Sequence, residues 1–400
     1  MPGFELFDQK EIDAVADVLR RRVVHRYSFQ GTREEIYRVD EFERATAEKY
    51  GAKYALGVSS GSAALYVAMK GCGIGPGDEI ITTPFTFIAS VEAILECGAV
   101  PVLAEIDESL NLDPDSVHGL ISDRTKAIMP VHMFGGAADM DAFRTICDEE
   151  GLQLFEDACQ AMGATYDGRA CGSMGRWGTF SLDPYKIVTV GEGGMILTSD
   201  EGLYRRMEYY HDHGHAHDYA VDRGAERKAC LGFNFRMSEL QGALGLVGLE
   251  KLDGAIAALR KTRDSILDAV KDTGLETRKL ADPAGDIATQ IVFLLPDPSA
   301  ARAFQKAAKE AGCGCGVLSD NTWHYARHWG TLRDGACYSR IRCPWDCPHA
   351  DEVPLYRPSE WPRTQEILSR AAVFGLDILM EQGKIDSVVR AIRAGAKAAL

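Results

Sequence analysis

Apolar and polar positions change period in blocks along the chain. Ile12, Val15, Val18 and Leu19 recur at helical spacing between Phe7 and Arg22, which predicts an opening helix. From Val39 onward the pattern alternates helix and strand. Tyr54 to Val58, Glu79 to Thr82 and Val100 to Glu105 read as strands, and Ala63 to Met69 and Ala89 to Cys97 as helices. The runs TKAIMPVHMFG, GLQLFEDACQA and GGMILTSD add strands, with a helix around Met140 to Glu149. This order predicts an α/β fold, a mostly parallel sheet covered by helices, in which strand ends and helix starts are where ligands bind.

The pattern then changes. Asn234 to Gly274 reads as one long helical stretch, and its glycines at 242, 245 and 248 would weaken an exposed helix, so close packing is expected there. From about Leu275, strand-like TQIVFLLP, helical SARAFQKAAKEAG and a Trp-, His- and Cys-rich segment at 320–350 predict a smaller C-terminal α+β domain. The expected division is a large domain with the N-terminal helix over 1–260 and a small domain over 261–400, which a chain of 400 residues accommodates.

Lys and Arg total 44 against 59 Asp and Glu, a formal charge of −15, which excludes nucleic acid as a general partner. No run approaches the roughly 18 to 20 apolar residues of a membrane helix, and the N-terminus lacks a basic region followed by an apolar one, so no membrane partner and a cytoplasmic location are expected. The eleven cysteines are scattered, and reduced thiols are the expectation. Cys313-Gly-Cys315 and Cys343-Pro-Trp-Asp-Cys347 with His349 match no common zinc spacing well, and no metal is expected.

Four stretches carry candidate chemistry. SSGSAALYVAM sets Gly61, Ser62 and Ala63 at a helix start, where free N–H groups and the dipole form a phosphate cradle, although serine there is also a common cap. FEDACQAMG puts Glu156 and Asp157 at a strand end, followed by Gln160; such a carboxylate either holds a protonated ring nitrogen or caps a helix. Phe87 either lies flat on a planar ligand or fills core. Lys186 stands between Tyr185 and the β-branched run Ile187 to Val190, which reads as a buried strand. A buried lysine favours its neutral, nucleophilic amine, as Schiff-base chemistry needs, whereas a lysine at a strand edge snorkels to water.

Together these elements resemble the DegT/DnrJ/StrS family of pyridoxal-phosphate-dependent sugar aminotransferases, which has the aspartate-aminotransferase fold (fold type I). The resemblance runs through SSGSAAL, GPGDEIITTPFTF, GAVPV, TKAIMPVH, FEDACQA, FSLDPYKIVTVGEGG and GFNFRMSELQGA, in the family's order. It implies a transaminase that binds pyridoxal 5′-phosphate and moves an amino group from an amino acid, glutamate by expectation, to a keto-sugar. Lys186 is then the catalytic residue that bonds the cofactor aldehyde and shuttles the proton. Asp157 pairs with the ring nitrogen, Gln160 with the ring hydroxyl oxygen, and Phe87 stacks on the ring. Gly61, Ser62 and Ala63, with the Ser181 hydroxyl, hold the phosphate. Asn234, beside Arg236, reaches the phosphate of a neighbouring subunit, which implies a homodimer with shared active sites.

Two positions depart from the family pattern: Asp183 stands where histidine is frequent and Ser62 where threonine is frequent. Relatives that dehydrate sugars carry histidine in place of Lys186, so the lysine favours transamination. PGFELF, Asp183 and DNTWHYARHW are similar to aminotransferases acting on 8-oxo-3,8-dideoxy-octulosonate, an anion for which Arg236, His324, Arg327 and His328 are candidate ligands or structural residues. A nucleotide-linked keto-deoxysugar and a keto-cyclitol are the alternative substrates. A binding or regulatory protein that has lost activity is the alternative of another class, against which Lys186, Asp157 and Gln160 together speak.

Overall fold

The computed structural model describes residues 3–218, 220–340, 342–350 and 353–400. Asp8 opens the first helix: its side chain accepts from the Lys10 N–H while Glu11 reaches back to the Asp8 N–H. That helix, α1 (Gln9–Arg21), is followed by α2 (Arg38–Tyr50), β1 (Tyr54–Val58), α3 (Gly61–Gly71), β2 (Glu79–Thr82), α4 (Ala89–Glu96), β3 (Val100–Leu103), β4 (Thr125–Ile128), α5 (Met140–Glu150) and β5 (Gln153–Asp157). A short hairpin, β6 (Thr165–Tyr166) and β7 (Arg169–Ala170), precedes β8 (Trp177–Ser181), β9 (Gly194–Thr198), α6 (Glu201–Tyr210) and α7 (Glu239–Val270). The C-terminal part holds β10 (Glu276–Thr277), β11 (Gln290–Leu294), α8 (Pro298–Glu310), β12 (Gly316–Val317), α9 (Gly330–Arg333), α10 (Pro362–Ser369), β13 (Ala371–Gly375) and α11 (Gln382–Ala399).

Seven strands form one sheet in the order β1-β9-β8-β5-β4-β2-β3. Only β9 runs antiparallel to its neighbours, and the near-continuous burial of β2, β5, β8 and β9 is what a sheet covered on both faces requires. The register sets the site. Asp157 pairs with Thr179, Ser181 with Gly194, and Gly194 with Val58, so the C-terminal ends of β1, β5 and β8 share one edge. A second sheet, β10-β11-β13-β12, is antiparallel throughout and packs against α8, which in turn packs on α11. Helix α7 runs unbroken through residues 260 and 261, and the second sheet begins at Glu276.

Gly242 and Gly245 let α7 press onto α2. A Cβ at Gly242 would lie 2.6 Å from the Val39 N, and one at Gly245 would lie 2.4 Å from the Phe42 ring. The close packing expected of this helix is therefore present, although it starts at Ser238, whose hydroxyl accepts from Gln241 N–H, and not at Asn234. Ile187 to Val190 is buried but is not a strand. Asp183 and Pro184 begin a turn that Lys186 N–H closes on the Asp183 carbonyl at 3.1 Å, and the β-branched run continues as irregular chain. In α1 the helical spacing is right, yet Ile12 and Leu19 are exposed. All eleven cysteines are free thiols, and no cluster of three or more His, Cys, Asp or Glu among the described residues is arranged to hold a metal ion. No described helix is long and apolar enough to cross a membrane.

Candidate active site

The carboxylate end of β5 is the fixed point of the site. Asp157 is 3% exposed; its Oδ2 accepts the Ser90 hydroxyl at 2.6 Å and its Oδ1 the Cys159 N–H at 3.1 Å. Ser90 lies in the first turn of α4 and shares its hydroxyl with Thr86 at 2.7 Å, so the segment after β2 that carries Phe87 also braces Asp157. Glu156, on the opposite face of the strand, is spent on structure. It accepts from Gly172 N–H at 2.7 Å and Met174 N–H at 2.6 Å, with His132 Nε2 at 3.1 Å. The strand alternation therefore separates the two adjacent carboxylates into two roles.

The cradle forms where α3 meets β8. Ser60 caps α3 and takes the Ala63 N–H at 3.0 Å, so the N–H groups of Gly61 and Ser62 are the ones left for an anion. This narrows the expectation for Ala63, whose donor is already used. Gly61 is required here, because a Cβ on it would stand 2.7 Å from the Ser181 Cβ. Gly194 is required for the same reason, 2.2 Å from the Ser60 carbonyl oxygen. Ser181 thus lies against the helix start, as the cradle needs.

Lys186 follows at the end of the one turn that leaves β8. Its Nζ is 3.6 Å from Asp183 Oδ2, which also accepts the Ser181 hydroxyl at 3.1 Å. Lys186 has 20% of its side chain exposed, so the amine is reachable. Its charge is felt on both flanks. Burial pushes the His324 imidazole down to about 4 and the Lys186 ammonium adds to that; burial and the Asp157 carboxylate push the Cys159 thiol up, against the pull of Lys186.

An aromatic wall completes the site. Phe87 is 39% exposed, and Trp323 lies nearly parallel to it with centroids 6.3 Å apart. His324 packs edgewise on Phe134 and tilted against Phe87. These residues arrive from the C-terminal part because Ala326 N–H donates to the Pro84 carbonyl at 2.8 Å and Tyr325 bridges Phe85. Gln160 Oε1 accepts from Phe134 N–H at 3.3 Å, which leaves its amide N–H groups for a ligand.

Lys186, Ser181, Asp157, Gln160, Phe87 and His324 are linked through these contacts. The other residues singled out in the sequence stand elsewhere. Arg236 binds Asp212 at 2.5 Å; burial opposes the Asp212 charge, but hydrogen bonds from Arg223 and Arg236 outweigh it and hold the carboxyl well below the usual range. Asn234 is exposed, on a segment whose next residue, Phe235, accepts from Ser59 N–H at 2.8 Å beside the end of β1. His328 Nε2 is taken by the Ser319 carbonyl at 2.8 Å, and Arg327 is exposed. Thr86, Ser90, Phe134, Trp323 and Asp183 belong to the site without having been given a role from sequence. The four-residue step from Thr86 to Ser90 at a helix start was the one signal available for the first pair.

The parts present match the parts of pyridoxal 5′-phosphate: an anion cradle shaped by two obligatory glycines, a braced buried carboxylate, a partly exposed ring and a reachable amine. The sequence pattern of the DegT/DnrJ/EryC1/StrS aminotransferase family matches residues 9–336. The GDP-perosamine synthase of Caulobacter vibrioides is 43% identical over 54% of this chain and 58% of that protein. The L-glutamine:2-deoxy-scyllo-inosose aminotransferase of Streptomyces kanamyceticus is 35% identical over 72% of this chain and 68% of that protein. The match spans less than two thirds of the length of the GDP-perosamine synthases of C. vibrioides and Vibrio cholerae. Among solved structures, the aminotransferase from Psychrobacter cryohalolentis superposes with a TM-score of 0.81 at 29% identity, over 96% of each chain.

Proposed function

Because this chain belongs to the DegT/DnrJ/EryC1/StrS aminotransferase family, we propose that it is a pyridoxal-phosphate-dependent transaminase that moves an amino group from glutamate or glutamine to a keto-sugar. The observation that supports this best is the set of Lys186, Ser181 and the Gly61 helix start on one sheet edge, with braced Asp157 on the neighbouring strand end. When bound, the cofactor supplies a ring that withdraws electrons from the carbon carrying the amine. The Gly61 and Ser62 N–H groups bind the phosphate, beside the Ser181 hydroxyl that Asp183 orients. Asp157, oriented by Ser90 and Cys159, holds the ring-nitrogen proton, and Gln160 donates to the ring hydroxyl oxygen. Phe87 shields one ring face from water. Lys186 Nζ would hold the cofactor through its aldehyde carbon, the aldehyde oxygen leaving as water, and the freed amine would take and return the proton at the reacting carbon.

We assign the substrate end to Trp323 and His324. A flat aromatic face suits the apolar side of a sugar ring, and a neutral imidazole can donate to or accept from a hydroxyl. The two relatives carry the names of enzymes for a perosamine and for an inosose, which favours a nucleotide-linked keto-deoxysugar or a keto-cyclitol. The 8-oxo-octulosonate assignment is the competing proposal; it is carried by PGFELF, whose Pro2 lies outside the described residues, by Asp183 and by DNTWHYARHW. The proposed assembly is a homodimer in which the exposed Asn234 serves the partner's phosphate site.

The test presents the purified protein, loaded with amino donor, with keto-sugars of the three classes. Amino-sugar formation from one class supports the reading. An absence of both bound cofactor and amine transfer from glutamate or glutamine to any keto compound contradicts it.

A further inference from the structure

We propose that Asp183 is a positioning residue for Lys186: one carboxylate oxygen fixes both the amine and the Ser181 hydroxyl, and so sets where the amine meets the cofactor aldehyde. The inference rests on the reading of Lys186 as the amine that bonds the cofactor. Asp183-Pro184-Tyr185-Lys186 is a turn with aspartate at its first position and proline at its second, closed by the Lys186 N–H on the Asp183 carbonyl. Within it, Asp183 Oδ1 accepts the Tyr185 N–H at 2.7 Å. With Oδ1 anchored to the backbone, Oδ2 is held in one direction, where it accepts the Ser181 hydroxyl at 3.1 Å and stands 3.6 Å from Lys186 Nζ. This is the ion pair that Lys186 makes among the described residues.

Among the described residues, the other groups near the amine are committed elsewhere. Asp157 is committed to Ser90 and the Cys159 N–H, and His324 is held by Asn321 and packed on Phe87 and Phe134. A lysine stem with four rotatable bonds spreads its amine over many positions, and covalent capture needs one of them. Because the same oxygen holds Ser181, the amine is placed relative to the phosphate cradle and not merely to its own turn.

Two variants separate this role from that of a turn former. Asp183→Asn keeps an oxygen for the Tyr185 N–H and the shape of the side chain but removes the charge; Asp183→Ala removes both. The cofactor-free full chain is mixed rapidly with pyridoxal 5′-phosphate and capture is followed by visible absorbance. Affinity for pyridoxine 5′-phosphate, which has no aldehyde, reports the non-covalent contacts alone. Capture is expected to slow about tenfold in the Asn variant and further in the Ala variant. Pyridoxine phosphate affinity should stay within about threefold, and the Asn variant should keep its thermal midpoint, since a partly exposed ion pair contributes little to stability. Unchanged capture in the Asn variant overturns the proposal and leaves Asp183 a turn residue. A loss of pyridoxine phosphate affinity as large as the loss of capture also overturns it, placing Asp183 in the cradle. If Lys186→Ala captures cofactor as the parent does, the lysine assignment itself fails, a result distinct from either of these.

Discussion

Asp157, 3% exposed and held by two donors, and Trp323, 68% exposed and held by the face of one ring, mark two regions of the site that are fixed in different ways. The inner region is built from strand ends whose register leaves no freedom: Asp157 opposite Thr179, Ser181 opposite Gly194. The outer region comes from the C-terminal part, pinned by the Ala326 N–H on Pro84 and the Tyr325 bridge to Phe85. A chemistry common to many substrates needs the first kind of construction, and a choice among substrates can be made by the second. Changes in the inner region should therefore act on kcat, and changes in the outer one on KM.

The largest effect is expected from Lys186→Ala, which should lower turnover by at least about 10³-fold while the cradle still binds cofactor phosphate. Steady-state kinetics and a phosphate-ester binding titration check both halves. Next comes Asp157→Asn, expected to reduce kcat by roughly 10²- to 10³-fold with KM little changed, since the charge acts most strongly in the transition state. A KM effect of equal size would move Asp157 to the substrate side and blur the division.

The inner region was largely legible in the sequence because its residues sit at breaks in the pattern. Gly61 follows a strand and starts a helix, and Asp157 ends a strand; both breaks are local and visible. The bracing of Asp157 was not, because Ser90 is 67 residues away and only the sheet order brings α4 beside β5. Ile187 to Val190 misled for a physical reason: β-branched residues mark burial in irregular chain as well as in strands, and the turn at Asp183-Pro184 was the stronger signal. Ile12 and Leu19 show that helical spacing gives an apolar face without saying what covers it. The outer region has no periodic pattern at all, so His324 and His328 looked alike in sequence although one packs on Phe87 and the other bonds Ser319.

Intermediate effects sharpen the comparison. Ser90→Ala leaves one side of a buried carboxylate without its donor and should cost about 1–3 kcal/mol in stability or, read as kcat, roughly tenfold. Trp323→Ala should raise KM for the keto-sugar several-fold, up to about tenfold, with kcat within about twofold. Parallel thermal melts and kinetics on the two variants distinguish a brace from a platform.

The pH dependence of stability stands apart, with no expected effect on the division between kcat and KM. Burial pushes His217 and His324 down to about 4 and His211 below its ordinary range. Their folded values lie below the unfolded value near 6.5, so the native state binds fewer protons than the unfolded one. The stability they contribute is complete above about pH 6.5 and falls as the pH drops toward 4, by at most about 1.4 kcal/mol per pH unit for each histidine. Denaturant midpoints between pH 7 and 4 should decline along that window; a flat profile would mean that these imidazoles are not held neutral by the fold.

Whether Lys186 is the amine bonded to the cofactor is decided by reduction of the loaded protein with borohydride followed by peptide mapping. A stable pyridoxyl adduct is expected on the peptide containing Lys186, and its loss in Lys186→Ala. An adduct on a different lysine, or an equal yield in the variant, would contradict that assignment.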